Sequence, residues 1–270
     1  MKLSLSIFCF LIISFGFTQE KQNNNLKSKE KYIDKQYWKN FSYNSDSWQI
    51  YLDSALKIEP NNAYFWQQKA MPYLKNGNYS EGMKFLNLAV HIDEKAYVSY
   101  RAFIKCVFLK DYNNALIDFE KAVKHQPDAN LMDHNFSFWI GLCNLKLNDF
   151  KTAEKYFEKS INIQKVKGLE WVHYIDYFYL GLTMMKMKKI NKANHNFNSA
   201  LAIFIEFPEA LYYKGIICIR KGRLKGAKEN LIKAKNSLES GNKINEDNEV
   251  YVNYPFQITL YEVNELLDKL

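Results

Sequence analysis

Along most of the chain, small and apolar residues recur in a fixed trio: one residue, an apolar residue four positions on, and a small residue three further. The trio reads Trp48/Leu52/Ala55, Gly82/Leu86/Ala89, Ala115/Phe119/Ala122, Ala153/Phe157/Ser160, Ala193/Phe197/Ala200 and Ala227/Leu231/Ala234. Steps of four and three return to the same side of a 3.6-residue turn, so each trio marks one face of a helix. Successive trios start 34, 33, 38, 40 and 34 residues apart. This period predicts an all-α chain of about six helix-turn-helix units, none able to bury its apolar face without a neighbour.

The breaks in the pattern carry information too. Pro72 falls inside a first helix, where it removes a hydrogen bond and should bend the helix. The spacings of 38 and 40 imply insertions of about four and six residues, near 128–133 and 166–173, on either side of the fourth unit. After Leu238 the trio stops. A polar, acidic stretch (ESGNKINEDNEV) leads to aromatic YVNYPFQ, and ITLYEVNELLDKL then regains helical spacing as a terminal cap. Residues 19–30 (QEKQNNNLKSKE) lack apolar periodicity and read as a flexible leader. Residues 1–18 differ again. Lys2, the apolar run Leu3–Phe17 and a candidate cut near Gly16–Phe17–Thr18 have the form of a secretory signal, too short for a membrane span. The expected organisation is a signal at 1–18, a leader at 19–30, the array at 31–240, and a linker with capping helix at 241–270.

These segments resemble the tetratricopeptide repeat family over roughly residues 29–240. The second-helix trio matches in nearly every unit. Leu180–Gly181, Gly141, Gly215, Trp66 and Tyr73 match the first-helix pattern in part, and Pro60 and Pro127 match the closing proline. The resemblance implies a right-handed α-solenoid that binds proteins or peptides in a concave groove lined by its first helices. Carried onto this chain, the groove positions read Tyr100, Phe138, Phe178 and Tyr212 as an aromatic ladder, Leu142 and Leu182 as flanks, and Lys146, Lys186 and Arg220 as a cationic edge. Such a surface marks an interaction site, aromatics giving contact area and the basic edge contacts to carboxylates. The asparagines and lysines that chaperone-binding members use are replaced here by aromatics and aliphatics, so chaperone-tail binding is not expected.

Charge modifies this picture modestly. The net +8 is mostly scattered lysine, with denser runs at Lys186/Lys188/Lys189/Lys192 and Arg220/Lys221/Arg223/Lys225/Lys228. Those basic loops of units five and six are the alternative site, for an anionic polymer or a membrane surface. Export and the lack of a compact basic patch disfavour nucleic acid. Cys106, Cys143 and Cys218 fall at or beside one first-helix position, where buried thiols fit. No histidine lies three or four residues from another histidine or a cysteine, and no phosphate loop or nucleophile motif is present. No enzyme activity, cofactor or metal is therefore expected. His173 and Asp176, three apart, read as a solvent-exposed pair. The acidic aromatic stretch NEDNEVYVNYPF has two readings. One is a plain connector to the cap; the other is a segment that docks in its own groove or a second molecule's and competes with the ligand. The expected whole is an exported, periplasmic or secreted scaffold, with partner and oligomeric state left open.

Overall fold

The computed structural model describes residues 41–127 and 129–270; the expected signal and leader lie outside them. Among the described residues are twelve α-helices and one short two-stranded ribbon. None of these helices is long and apolar enough to cross a membrane. The chain divides into two compact units, ending and beginning at Tyr97 and Val98.

The first unit holds α1 (Asp46–Ile58), α2 (Ala63–Lys75), α3 (Tyr79–Ile92) and the start of α4 (Glu94–Phe103). Ser45 and Asn62 cap α1 and α2, each side-chain oxygen accepting a backbone N–H of the first turn. Pro72 lies within α2 without ending it. Proline has no N–H for the carbonyl four residues back, that of Gln68. The Trp48 indole of α1 donates to that carbonyl at 3.3 Å, and Gln49 Nε2 donates to Lys69 O at 3.4 Å. The bond that Pro72 removes is replaced by one that fastens two helices together. Trp48→Phe should therefore cost about 1 kcal/mol in urea unfolding. That loss should shrink in a Pro72→Ala background, where residue 72 regains its N–H.

In the second unit α4 runs on into a π-turn, Ile104–Phe108, followed by α5 (Tyr112–His125). Three hairpins then repeat one design: α6 (Phe136–Lys146) with α7 (Phe150–Lys167), α8 (Tyr174–Lys186) with α9 (Ile190–Ile203), and α10 (Pro208–Arg220) with α11 (Leu224–Glu239). The trio residues form their seams. Ala153, Phe157, Ser160, Ala193, Phe197, Ala200, Ala227, Leu231 and Ala234 are all fully buried. Gly181 sits where a Cβ would come within 2.6–2.7 Å of the Phe197 ring, and Gly141 meets Phe157 in the same way. The helices of each pair approach closely because one side is bare. Each of these hairpins turns through one left-handed residue, Asn148, Lys188 or Gly222, as the chain does at Lys110 ahead of α5 and at Gly77 in the first unit.

The two expected insertions are present. One is the ribbon of β1 (Asn130–Leu131) and β2 (His134–Asn135) ahead of α6. The other is the extra length of α7 and a 3-10 turn, Leu169–Trp171, ahead of α8. At the C-terminus Thr259 opens α12 (Leu260–Leu267) with a capping box to Glu262. Val263 and Ile258 then pack with Leu211, Leu231 and Ala234, which covers the last hairpin. The all-α repeat architecture with a terminal cap matches the pattern read along the chain.

Candidate functional site

The stretch between α11 and α12 is laid across the first helices of the second unit. It enters where Glu209, buried at the start of α10, accepts the Ile244 N–H at 3.4 Å. The Asn245 N–H reaches the Tyr174 hydroxyl at 3.2 Å, and Glu246 Oε2 lies 2.8 Å from His134 Nε2. The chain bows outward, with Val250 and Tyr251 at the surface, and returns. On the way back the Lys110 ammonium donates to Asn253 O at 2.6 Å, and the Tyr179 hydroxyl donates to Pro255 O at 2.9 Å. Ile244, Tyr254 and Ile258 are almost fully buried.

Phe256 is the centre of the contact. Its ring lies 4.9 Å from the Lys146 ammonium and 6.0 Å from that of Lys186, a cation pair over an aromatic face. It also packs edge-on to Tyr179 and closes a small cavity of about 80 Å³ with Leu182, Met185, Tyr213 and Arg220. Its backbone is left-handed, at φ 64. That conformation is costly for a bulky residue and persists only where surrounding contacts hold it.

Of the residues assigned to the groove, Lys146, Lys186, Leu182 and Arg220 meet at Phe256. The ladder itself needs correction. Phe138 and Phe178 are wholly buried, Phe138 against His134, Trp139, Phe157 and Tyr179, and Phe178 against Phe197, Phe207 and Tyr213. Leu142 is buried as well. Facing the tail instead are Tyr179 and Tyr213, one position on from Phe178 and Tyr212, a slip of about 100° around the helix. Tyr212 is half-buried against the capping helix cluster, and Tyr100 packs on Phe103. Cys106 and Cys143 are buried with their sulfurs 3.5 Å apart, whereas Cys218 is only partly buried.

Beside this groove lies a group of charges that sequence spacing missed. His134, from β2, sits between Glu246 of the tail and Asp176 of α8, its Nδ1 3.5 Å from Asp176 Oδ2. His173 Nδ1 lies 3.6 Å from Glu246 Oε1. Asp176 is fully buried, not the solvent-exposed partner of His173 that its spacing implied. Its other oxygen accepts from the Ser160 hydroxyl, which in turn accepts from Asn135 Nδ2 at 2.9 Å. Burial works against a charge on His134, but the carboxylates of Asp176 and Glu246 outweigh it and raise its pKa to about 9. Burial lowers that of His173. One ligand atom from each of His134, His173 and Asp176 falls within 4.8 Å of the others, so these residues could hold a metal. The available signal was the insertions, since His134 and His173 stand at their ends.

Fold and site together define a protein of repeated helical hairpins whose first helices carry a segment of its own chain. Residues 135–166 match the family model for the tetratricopeptide repeat, and the fold is the one seen in solved tetratricopeptide-repeat structures. Three solved structures share the fold. PilW, a type IV pilus biogenesis factor, is 18% identical, with TM-score 0.59, covering 81% of this chain and 94% of its own. MamA from Desulfovibrio magneticus RS-1 is 20% identical, with TM-score 0.55, covering 66% of this chain and 96% of its own. YrrB, described as having an unusual peptide-binding site, is 17% identical, with TM-score 0.51, covering 70% and 97%. No curated protein matches the chain by sequence.

Proposed function

We propose that the chain is a non-enzymatic scaffold of the cell envelope or exterior. Its groove takes an extended aromatic, acidic peptide segment of a partner protein, and its own residues 244–258 occupy that groove until the partner displaces them. The observation that carries this reading is Phe256, held in a left-handed conformation between Lys146 and Lys186 while the backbone on either side is bonded to Tyr179 and Lys110. A connector to the cap needs none of these contacts. Peptide binding by YrrB, which shares the fold, is consistent with such use of the first helices.

The test is fluorescence anisotropy of a labelled peptide copying residues 243–258, added to protein carrying Phe256→Ser. Binding should saturate and should be lost on adding Lys146→Glu and Lys186→Glu, which lie at the groove edge. A second reading places an anionic polymer or membrane surface on the basic loops. It is favoured by the Lys221 bond to Asn191 at 2.9 Å, which ties the two lysine-rich turns together. Salt separates the two. Polymer affinity should fall steeply between about 50 and 200 mM salt, whereas an aromatic groove should respond weakly.

A further inference from the structure

Four buried polar atoms face one another beside the start of α8, none with a hydrogen-bond partner: His134 Nδ1, His173 Nδ1, Asp176 Oδ2 and Glu246 Oε1. A protein interior rarely leaves even one such atom unpaired. An ion pair of protonated His134 with its two carboxylates answers for part of the group. It leaves His173 Nδ1 buried without a hydrogen bond, 3.6 Å from Glu246 Oε1.

We propose that His134, His173 and Asp176 bind a borderline divalent transition-metal ion of the zinc type, with Glu246 of the tail orienting His134 and closing the fourth side. The spacing suits this. Bonds of about 2.1 Å to a tetrahedral ion place neighbouring ligand atoms about 3.4 Å apart. The pairs His134 Nδ1–Asp176 Oδ2 and His173 Nδ1–Glu246 Oε1 stand at 3.5 and 3.6 Å. The donor set is two imidazoles and a carboxylate, which favours zinc or iron(II) over the oxygen-seeking calcium and magnesium.

The outer contacts are those a bound ion requires. A ligating histidine donates its second ring nitrogen to a carboxylate or carbonyl, and a ligating carboxylate is itself hydrogen-bonded. His134 has Glu246 at Nε2, and Asp176 has the Ser160 hydroxyl, itself held by Asn135. His173 lies on the wall of a cleft of about 800 Å³ whose lining includes Met132 and Asp133 from one insertion and Glu170 and Trp171 from the other. The ligands come from two inter-helix connections, a first helix and the tail, so an ion here would pin residue 246 to the groove. That consequence rests on the tail reading; the site does not.

The full chain, stripped of metal, should be titrated with Co²⁺. The expected result is one ion per chain with the intense visible absorption of a four-coordinate site, displaced stoichiometrically by Zn²⁺, and a higher Tm with zinc. His173→Ala and Asp176→Asn should each weaken cobalt binding at least tenfold, and Glu246→Gln by about 10- to 100-fold. His173 is partly exposed, so His173→Ala should keep the metal-free Tm and helicity of the parent, which separates loss of the site from loss of the fold. No saturable binding at stoichiometric concentrations overturns the proposal and leaves an ion-pair cluster. Binding that is indifferent to His173→Ala overturns it as well, by placing the ion elsewhere. Neither result bears on whether residues 243–258 bind the groove in trans, which the anisotropy measurement reads independently.

Discussion

A peptide copying residues 243–258 should bind the Phe256→Ser protein about 100-fold more tightly than it binds the parent. The reasoning is competition within one molecule. A tethered segment acts at an effective concentration of about 1 mM. Against a free peptide whose intrinsic Kd is about 10 µM, an equally good tethered copy leaves the groove open about one hundredth of the time, and apparent affinity falls by that factor. Phe256→Ser removes the ring between Lys146 and Lys186 and relieves the tail without touching the groove wall. Adding Tyr254→Ser, which removes a buried ring bonded to Asp247 O, should release the segment further. Equal affinity in parent and variant would mean that the tail and the peptide use different surfaces.

Glu209→Gln should stabilise the protein above neutral pH and leave it unchanged in acid. Glu209 is buried at the start of α10, one oxygen accepting Ile244 N–H and the other without a partner. Desolvation raises its pKa from 4.5 to about 7. A carboxyl raised in this way binds its proton more tightly folded than unfolded. Below pH 4.5 both states are protonated and nothing is lost. Between pH 4.5 and 7 the unfolded chain releases its proton while the folded chain keeps it, so stability declines as pH rises. Above pH 7 the loss is complete, on the order of 3 kcal/mol for a shift of this size. Glutamine keeps an acceptor for Ile244 and cannot ionise. Urea midpoints of parent and Glu209→Gln should therefore coincide at pH 4 and separate progressively up to pH 8. Parallel curves across that range would show that Glu209 is not held protonated by the fold.

What the sequence revealed followed from where burial was one-sided. In second helices such as α9 and α11 the trio and one polar neighbour are the buried residues and most of the remainder is polar or exposed, so the apolar face is readable. First helices gave less. In α6 every residue from Phe136 to Leu145 is buried, and α8 is buried from Phe178 to Met185. A helix that is apolar all round carries no mark of which side faces a partner. The aromatic positions carried over from the family therefore named Phe178 where Tyr179 faces the tail, while Lys146, Leu182 and Lys186 of the same register do meet it. The charged cluster was harder still. Only His173 and Asp176 share a helical spacing; His134 and Glu246 are brought to them by an insertion and the returning tail rather than by a single helix. The basic edge was legible because Lys146 and Lys186 close their helices at the same place in successive units.

The central claim, that residues 244–258 occupy the groove of their own chain, is tested most directly by hydrogen–deuterium exchange of that segment in the intact protein. The account predicts that peptides spanning 244–258 exchange slowly, with protection like that of α8, and that Phe256→Ser restores fast exchange while α8 stays protected. Exchange of 244–258 at unfolded-chain rates in the parent protein would contradict it.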